Sequence, residues 1–344
     1  MEFFSEYGMF LAKTITIAIV ILGGVAVIVA LVAKGKGAAA GRLKVRDLNR
    51  RYAETENALK VAMLPKKLVK QAAKEAKRAR KAKDKLAEKG TPHRRRLFVL
   101  DFHGDIRASA VASLREEVSA VLTVAAPGDE VLVRLESPGG MVPSYGLAAS
   151  QLVRIKNHSI PLTVTVDKMA ASGGYMMACV ADRIVCAPFA VVGSIGVVSQ
   201  LPNFNRLLKR NDVDYEMFTA GEFKRTVTVL GENTEAGRQK YQAEIEDIHD
   251  LFKTFVKQHR PQVDLDRVAT GEHWFGTRAL EWKLVDEIGT SDDFLMAAHD
   301  AADLYQVSYE AKKPWLSRLT EQVRAAVDGQ AADRPPGPLM RHTD

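Results

Sequence analysis

The stretch PLTVTVDKMAASGGY, residues 161–175, joins a run of apolar and β-branched residues to a cluster of small ones. Its first part predicts a short buried strand, and the residues after Ser172 predict a helix. A serine at such a junction lies at the carboxyl end of a sheet, where the helix N-terminus favours developing negative charge. Gly173 and Gly174 allow another backbone, such as a bound peptide, to approach closely. Ser172 is therefore a candidate nucleophile, but a role as helix N-cap would explain it equally well.

Strands and helices alternate outward from this stretch, in a globular part that begins near residue 96. The predicted strands are residues 97–102, 130–135, 162–166, 183–186 and 215–219. The predicted helices are residues 111–124, 145–155, 175–182, 202–210, 234–259, 276–286 (with a turn) and 294–304. Short connections between alternating elements are typical of an α/β fold with a mainly parallel sheet covered by helices. Ligands bind at the carboxyl ends of such strands, where residues 137–140 and 172–174 both fall.

The N-terminal region contains a candidate membrane anchor. Residues 14–33 are uncharged and mostly apolar. A helix of that length spans about 30 Å, the thickness of a bilayer core. Glu2 and Glu6 stand where a cleavable signal peptide carries basic residues, which favours a retained single-pass transmembrane helix. Because basic residues follow the span, the positive-inside rule predicts a cytoplasmic catalytic domain, with a periplasmic one as the alternative.

The formal net charge of +7 is concentrated in one segment of the chain. Residues 34–96 contain 22 Lys and Arg against 6 Asp and Glu, whereas residues 97–344 carry a net charge of −8. The basic segment has little apolar surface, so we expect a helical stalk, interrupted near Pro65, that is attracted to anionic lipid. Nucleic acid is not an expected partner, because neither interleaved aromatic residues nor a known binding module accompanies the charge.

A nucleophilic serine needs a general base, and the residues alone leave its identity open. Histidine is the usual partner, but no histidine of the globular part has a local motif, and Gly-x-Ser-x-Gly is absent. These histidines are His103, His158, His249, His259, His273 and His299. A lysine is the other option, although its ordinary pKa of about 10.4 must fall through burial before it can accept a proton. Lys168, four residues before Ser172, and Lys224, after a predicted strand, are both candidates.

Four short motifs together carry a family resemblance. They are ESPGG at 136–140, AASGGY at 170–175, GSIGV at 193–197 and FKRT at 223–226. Their order and spacing, with SEYG at 5–8 ahead of an anchor and a basic stalk, resemble the signal peptide peptidase A family of serine proteases. Within that family the chain is most similar to the SohB branch, the inner-membrane peptidases. The resemblance covers roughly residues 1–305 and is most specific between residues 130 and 235.

The resemblance implies a Clp protease/crotonase-like fold and the hydrolysis of peptide bonds by a Ser/Lys dyad through an acyl-enzyme. By this resemblance Ser172 is the nucleophile and Lys224 the general base, with Ser194 hydrogen-bonded to that lysine. The oxyanion hole matches backbone N–H groups of the turn at 137–140, with Gly140 preferred over Gly139. Such a donor contributes about 3 kcal/mol of transition-state stabilisation. The substrate-binding residues implied are Gly173, Gly193 and Ile195.

The resemblance also implies partners and a location. We expect a homo-oligomer whose active site can be shared between subunits, on the inner membrane of a bacterium. Expected substrates are signal-peptide remnants or unfolded membrane-associated polypeptides. Neither a metal nor another cofactor is expected, and the two cysteines, Cys179 and Cys186, lack metal-site spacing. Lys283 stands where the family usually has glycine, so an altered left-handed helix end is expected there.

The predicted organisation has six parts. They are a flank (1–13), the anchor (14–33), the basic stalk (34–95), the peptidase domain (96–305), an amphipathic helix (306–328) and a disordered tail (329–344). Two other functions remain open, because a fold alone does not fix function. One is a crotonase-like acyl-thioester enzyme, which shares the oxyanion turn but uses a carboxylate. The other is a catalytically silent membrane scaffold.

Overall fold

The computed structural model describes residues 2–35, 41–65, 67–69, 71, 74, 78 and 94–311. The chain divides into two compact units, one formed by Met1–Arg42 with Glu310–Asp344 and the other by Leu43–Tyr309. In the first unit, helix α1 (Glu2–Gly35) contains the predicted anchor. Its window Tyr7–Gly24, with a mean hydropathy of 1.7, is long and apolar enough to cross a membrane. Thr14 and Thr16 donate their hydroxyls to carbonyls one turn earlier, so these polar atoms are satisfied within the helix.

The second unit is built on a mainly parallel sheet, as predicted. Within the described residues, its strand order is β1-β10-β2-β3-β4-β6-β9. These strands are β1 (Arg42–Asp47), β2 (Arg96–His103), β3 (Glu130–Glu136), β4 (Leu162–Val166), β6 (Arg183–Cys186), β9 (Glu287–Ile288) and β10 (Asp303–Glu310). All pairings from β10 through β9 are parallel. Every residue of β4 is buried, because helices cover both faces of a parallel sheet.

A smaller sheet stands at the carboxyl edge of the large one. It has the order β5-β7-β8, formed by β5 (Met169–Ala171), β7 (Val191–Gly193) and β8 (His273–Phe275). Strands β5 and β7 are parallel, whereas β7 and β8 are antiparallel. The stretch that follows β4 therefore leaves the large sheet and joins the small one just before Ser172.

Helices surround the two sheets. They are α2 (Leu48–Met63), α3 (Val111–Val124), α4 (Val142–Asn157), α5 (Gly173–Ala178), α6 (Asn205–Arg210), α7 (Glu235–His259), α8 (Leu265–Val268), α9 (Gly276–Glu281) and α10 (Ser291–His299). The predicted apolar face of α3 is confirmed, since Leu114, Val118 and Val121 lie in the main core. The predicted N-cap of α7 is also confirmed, because the Thr234 hydroxyl accepts the N–H of Gly237.

The expected stalk begins differently from the prediction. Residues 42–47 form a strand and not a helix, and the compact unit starts at Leu43, well before the predicted boundary at residue 96. Leu48 is buried in a cluster with residues of β2, β3 and α10. The Asn49 side-chain amide donates to the carbonyls of His299 and Ala302, and its oxygen accepts the N–H of Leu304. These long-range contacts, which local composition does not encode, attach the first part of the segment to the globular unit.

Two further predictions of local structure are wrong. Residues 215–219 form a loop with exposed side chains and pair with no strand among the described residues. The predicted helix at 294–304 ends at His299, and the chain then pairs with β2 as strand β10. Residues 306–310 thus belong to a strand and not to the predicted amphipathic helix. The rest of that helix and the predicted tail lie outside the described residues.

Lys283 occupies a complete Schellman end of α9 despite the absence of glycine. Its φ is 61°, its N–H donates to the carbonyl of Leu280, and the N–H of Leu284 donates to that of Ala279. The departure from the family pattern therefore leaves the left-handed helix end in place.

Glu117 gives the fold a pH-dependent stability. It is 5% exposed on α3, and its carboxylate accepts the N–H of Tyr309 at 2.7 Å. Burial raises the pKa of Glu117 to about 7, against the opposing effect of that hydrogen bond. The folded state therefore binds more protons than the unfolded state between about pH 4.5 and pH 7, and stability falls as the pH rises through this range.

We expect Glu117→Gln to remove this pH dependence. Relative to the wild type, the free energy of unfolding of the variant should rise by up to about 3 kcal/mol at pH 8, with no gain at pH 4. Urea denaturation at a series of pH values measures the difference. Glu116→Gln, at an exposed neighbouring position, is the control and should leave the dependence intact. Equal pH slopes in wild type and Glu117→Gln would contradict the assignment.

Candidate active site

Ser172 has an unusual backbone at the junction of β5 and α5. Its φ of 53° and ψ of −119° lie outside the regions that non-glycine residues favour, a strain that costs about 1–3 kcal/mol. Its N–H donates to the carbonyl of Gly193 at 2.8 Å. Although Ser172 occupies the N-cap position, its side chain makes no capping hydrogen bond. The capping role therefore does not explain the serine, and its half-buried hydroxyl remains available for chemistry.

The turn at residues 137–140 lies directly against Ser172. The Ser137 N–H donates to the carbonyl of Met169, and the Ala171 N–H donates back to the carbonyl of Ser137. Gly139 has a φ of 86°, and a Cβ added to it would lie 2.7 Å from the Cβ of Ser172. The backbone of the turn thus lies so close to Ser172 that no side chain fits at Gly139.

The two glycines of this turn differ in what their amides do. The Gly139 N–H donates to the Ser137 hydroxyl at 3.1 Å. Within the described residues, the Gly140 N–H has no acceptor. A Cβ at Gly140 would collide with the carbonyl oxygen of Ile106, so only glycine fits there. Of the two glycines, Gly140 is therefore the one whose amide is not engaged by another described residue, and it lines the same cavity as Ser172.

The residues after β7 complete the surroundings of the serine. Ser194 has a φ of 52°, and its N–H donates to the carbonyl of Glu272 at 2.7 Å. The buried Ile195 follows, and its carbonyl accepts a hydrogen bond from Nε2 of His249 on α7. Since a carbonyl only accepts, Nε2 of His249 carries the hydrogen and is not available as a base.

A narrow cavity of about 20 Å³ adjoins Ser172. Apolar side chains of α4, α5 and α7 form most of its wall. The lining residues are Gly140, Val142, Tyr145, Ser172, Gly173, Met176, Gly196, Val197, Ile248 and Phe252. No histidine lines this cavity in the part of the chain that the structure describes, so the geometry gives no support to a Ser-His-Asp triad.

The two candidate lysines have different surroundings. Lys168 is an exposed residue whose ammonium lies 3.1 Å from both carboxylate oxygens of Glu136, so it is held in an ion pair. Lys224 lies in an exposed loop, where its N–H donates to the carbonyl of Gly221. It does not line the cavity beside Ser172. Gly139, Gly140, Gly173 and Gly193 thus adjoin the serine within one chain, whereas Lys224 is not among the residues that contact it or line its cavity.

The buried cysteines are not alternative nucleophiles. Burial raises the pKa of Cys179 to about 12 and that of Cys186 to about 12, so both thiols stay protonated at neutral pH. Among the described residues, no group of three or more His, Cys, Asp or Glu side chains could hold a metal ion.

Two family models match the chain. The model of the N-terminal region of peptidase family S49 matches residues 2–152, and that of peptidase family S49 matches residues 154–305. "Probable protease SohB" of Haemophilus influenzae is 50% identical over 329 residues, which are 93% of this chain and 93% of that protein. The chain belongs to peptidase family S49. A second "Probable protease SohB", of Buchnera aphidicola subsp. Schlechtendalia chinensis, is 47% identical over 86% of this chain and 100% of its own length.

Membership of S49 confirms the predicted SohB-type resemblance, the peptidase class and the fold class. A hydrolase of peptide bonds is thereby favoured over the acyl-thioester enzyme that we considered. A solved structure of a membrane-bound stomatin-specific protease is 12% identical, with a TM-score of 0.41, and covers 60% of this chain and 86% of that one.

Sequence patterns did not single out two residues that shape this S49 site. Gly104 follows β2, and a Cβ there would collide with both the Ser137 and the Tyr145 hydroxyl oxygens. Tyr145 is fully buried on α4 beside Ser172 and Gly173. A buried tyrosine eight residues after Ser137 gives no local motif, so only the packed structure reveals it.

Proposed function

We propose that this S49 peptidase is a membrane-anchored serine endopeptidase in which Ser172 attacks the scissile carbonyl and Lys224 accepts its proton. The observation that carries the proposal is the strained, uncapped Ser172 in contact with a turn whose Gly140 amide has no acceptor among the described residues. A tetrahedral intermediate on Ser172 would place its oxyanion near that amide, and water would then hydrolyse the acyl-enzyme. Ser194 is proposed to hydrogen-bond the base lysine.

The exposed position of Lys224 supports a site shared between subunits of a homo-oligomer. A general-base lysine must be neutral, and burial lowers the pKa of a lysine. Lys224 is exposed in the single chain, and the loop that carries it bears exposed apolar side chains, with Phe218 89% and Phe223 54% exposed. A neighbouring subunit would bury this loop, and the same contact could bring a lysine to Ser172 of the next chain.

The surroundings of the serine suit an extended apolar peptide. The cavity wall is formed mainly by glycines and apolar side chains, and the backbone of Gly193 adjoins Ser172. The backbone of residues 193–195 is already hydrogen-bonded within the fold. A substrate strand could therefore pair with the backbone that follows, at 197–198, with Gly173 and Ile195 nearby. We propose signal-peptide remnants or unfolded membrane-associated polypeptides as substrates. Helix α1 would hold the enzyme in a bacterial inner membrane, with the basic segment near anionic lipid and the catalytic unit in the cytoplasm.

Covalent labelling tests the nucleophile. The detergent-solubilised full chain should react with a fluorophosphonate probe at Ser172, because the probe needs an activated serine and oxyanion stabilisation. Peptide mass spectrometry locates the modified residue. Ser172→Ala should abolish labelling, whereas Ser109→Ala, at an exposed serine bonded to Asp105, should not. Labelling of a different serine, or peptide hydrolysis that survives in Ser172→Ala, would overturn the proposal.

A further inference from the structure

Tyr145 lies in a chain of buried hydrogen bonds that ends at the turn beside Ser172. Its hydroxyl is 2.8 Å from the carbonyl oxygen of Asp105 and 2.6 Å from the Ser137 hydroxyl. The Ser137 hydroxyl also accepts the N–H of Gly139. Tyr145 and Ser137 are both 0% exposed, so water does not compete for these groups.

The direction of each hydrogen bond in this chain follows from its acceptors. A carbonyl oxygen only accepts, so the single Tyr145 proton is donated to Asp105. The bond between Tyr145 and Ser137 must therefore use the Ser137 proton, and the Ser137 oxygen is left to accept from Gly139. The bonds run from the Gly139 amide through Ser137 and Tyr145 to Asp105, all in one direction, and such chains strengthen each bond by polarisation.

This series of hydrogen bonds holds the turn at Gly139, and a second contact holds it at Met141. The Met141 N–H donates to the carbonyl of Ile106 at 2.8 Å. Gly140 lies between Gly139 and Met141, whose amides make these two hydrogen bonds. The Gly140 amide is therefore held in position but takes part in neither bond. The same hydrogen bonds therefore engage the Gly139 amide and leave the Gly140 amide without an acceptor among the described residues.

Tyr145 also contacts the residue after the nucleophile. A Cβ added to Gly173 would lie 2.8 Å from the Cδ1 atom of the Tyr145 ring and collide with its Cγ. The ring packs against Phe102, with 6.5 Å between the ring centroids. Burial raises the pKa of Tyr145, so the hydroxyl keeps its proton throughout the neutral range.

We propose that Tyr145 is a positioning residue of the active site, which acts through Ser137 to hold Gly139 and so reserves the Gly140 amide for the oxyanion. This inference depends on the proposed serine peptidase function. Tyr145 touches neither the reacting carbonyl nor the proton in transfer. Its contribution is therefore to the transition state, where the oxyanion develops, and not to the binding of the extended peptide.

Tyr145→Phe tests the inference, because phenylalanine keeps the ring and removes only the hydroxyl. In the full-length enzyme we expect kcat for a peptide substrate to fall about tenfold with KM unchanged, less than the roughly 10²–10³-fold loss for removal of an oxyanion donor. The affinity for a peptide aldehyde, which forms a tetrahedral adduct, should fall by the same factor. The affinity for an uncleavable peptide analogue should not change. Ser137→Ala should have a similar effect, and the double variant should be no worse than either single one.

Tyr175→Phe is the matched control. Tyr175 is also fully buried, but its hydroxyl donates to the carbonyl of Leu284, away from the turn. The Tyr175→Phe variant should lose thermal stability without the selective loss of kcat and of affinity for the peptide aldehyde. The same selective loss in Tyr175→Phe, or an unchanged kcat in Tyr145→Phe, would overturn the inference.

A readout that needs no activity separates this inference from the proposed function. Hydrogen–deuterium exchange of the peptide covering residues 137–141 should accelerate in Tyr145→Phe, because Gly139 loses its fixed acceptor. Unchanged exchange would overturn the positioning role even in an active enzyme. Failure of the peptidase proposal itself would appear instead as a wild-type protein that neither hydrolyses peptides nor reacts at Ser172.

Discussion

Replacing Lys224 by alanine is expected to lower kcat/KM for peptide hydrolysis by about 10³-fold or more, as for the loss of a general base paired with a serine nucleophile. The serine hydroxyl is a weak nucleophile unless a neighbouring base takes its proton. Lys168→Ala is the control, because Lys168 is exposed and paired with Glu136. We expect it to retain activity within about threefold, since loss of an exposed ion pair changes little. The reverse ranking of the two variants would show that the base has been assigned to the wrong lysine.

Mixed oligomers sharpen this prediction. If Ser172 and Lys224 of one site come from neighbouring subunits, an equal co-assembly of Ser172→Ala and Lys224→Ala chains should recover about a quarter of the wild-type activity. Each recovered site would combine the intact serine of one variant with the intact lysine of the other. Co-expression with two affinity tags, followed by tandem purification and a peptide assay, measures this recovery. No recovery from a confirmed mixed oligomer would place both residues in one chain.

Gly139→Ala is expected to lower kcat/KM by roughly 10²-fold or more, because it displaces an oxyanion turn from its nucleophile. Gly139 has a φ of 86°, and a left-handed backbone costs alanine about 1–2 kcal/mol of stability. Its Cβ would also lie 2.7 Å from each of three atoms, namely the Ala171 oxygen, the Gly173 nitrogen and the Ser172 Cβ. Either the turn or the serine must move to relieve these contacts. Steady-state kinetics and thermal unfolding together measure the two effects.

Gly128→Ala separates the steric effect from the backbone effect. Gly128 has a φ of 94°, but nothing lies within 4 Å of an added Cβ. This variant should lose stability to a similar backbone penalty while it keeps wild-type kcat/KM. If Gly139→Ala also keeps wild-type activity, the contact between the turn and Ser172 is not needed for catalysis.

The fold class and the strand-to-helix junction at Ser172 were predictable because their signals are local. The buried run before Ser172, the small residues after it and the alternation of strands and helices each reflect short-range preferences, and β4 and α3 occur at the predicted residues. Thr234 was identified as a cap for the same reason. The choice of Lys224 over Lys168 came from the family resemblance, because no local pattern distinguishes the two lysines.

The wrong predictions have a common physical cause. Strand β10 and strand β1 form only because partner strands far away in sequence accept their hydrogen bonds. Residues 215–219 have the composition of a strand but no partner among the described residues. Helix propensity in residues 42–47 was outweighed by sheet pairing, and Leu48 was recruited to a core that includes Leu97, Leu132 and Leu304.

The sequence by itself determined an apolar N-terminal helix, a mainly parallel sheet and a serine at the carboxyl end of that sheet. Periodicity and residue size are local properties, so these features could be inferred without coordinates. Only the tertiary structure decided that Ser172 is strained and uncapped, that Gly139 is bound while Gly140 has no acceptor in the described residues, and that Tyr145 joins the turn to Asp105. These properties depend on atoms contributed by β2, β3, β5 and α4, which are distant in sequence and meet only when the sheets and helices pack together.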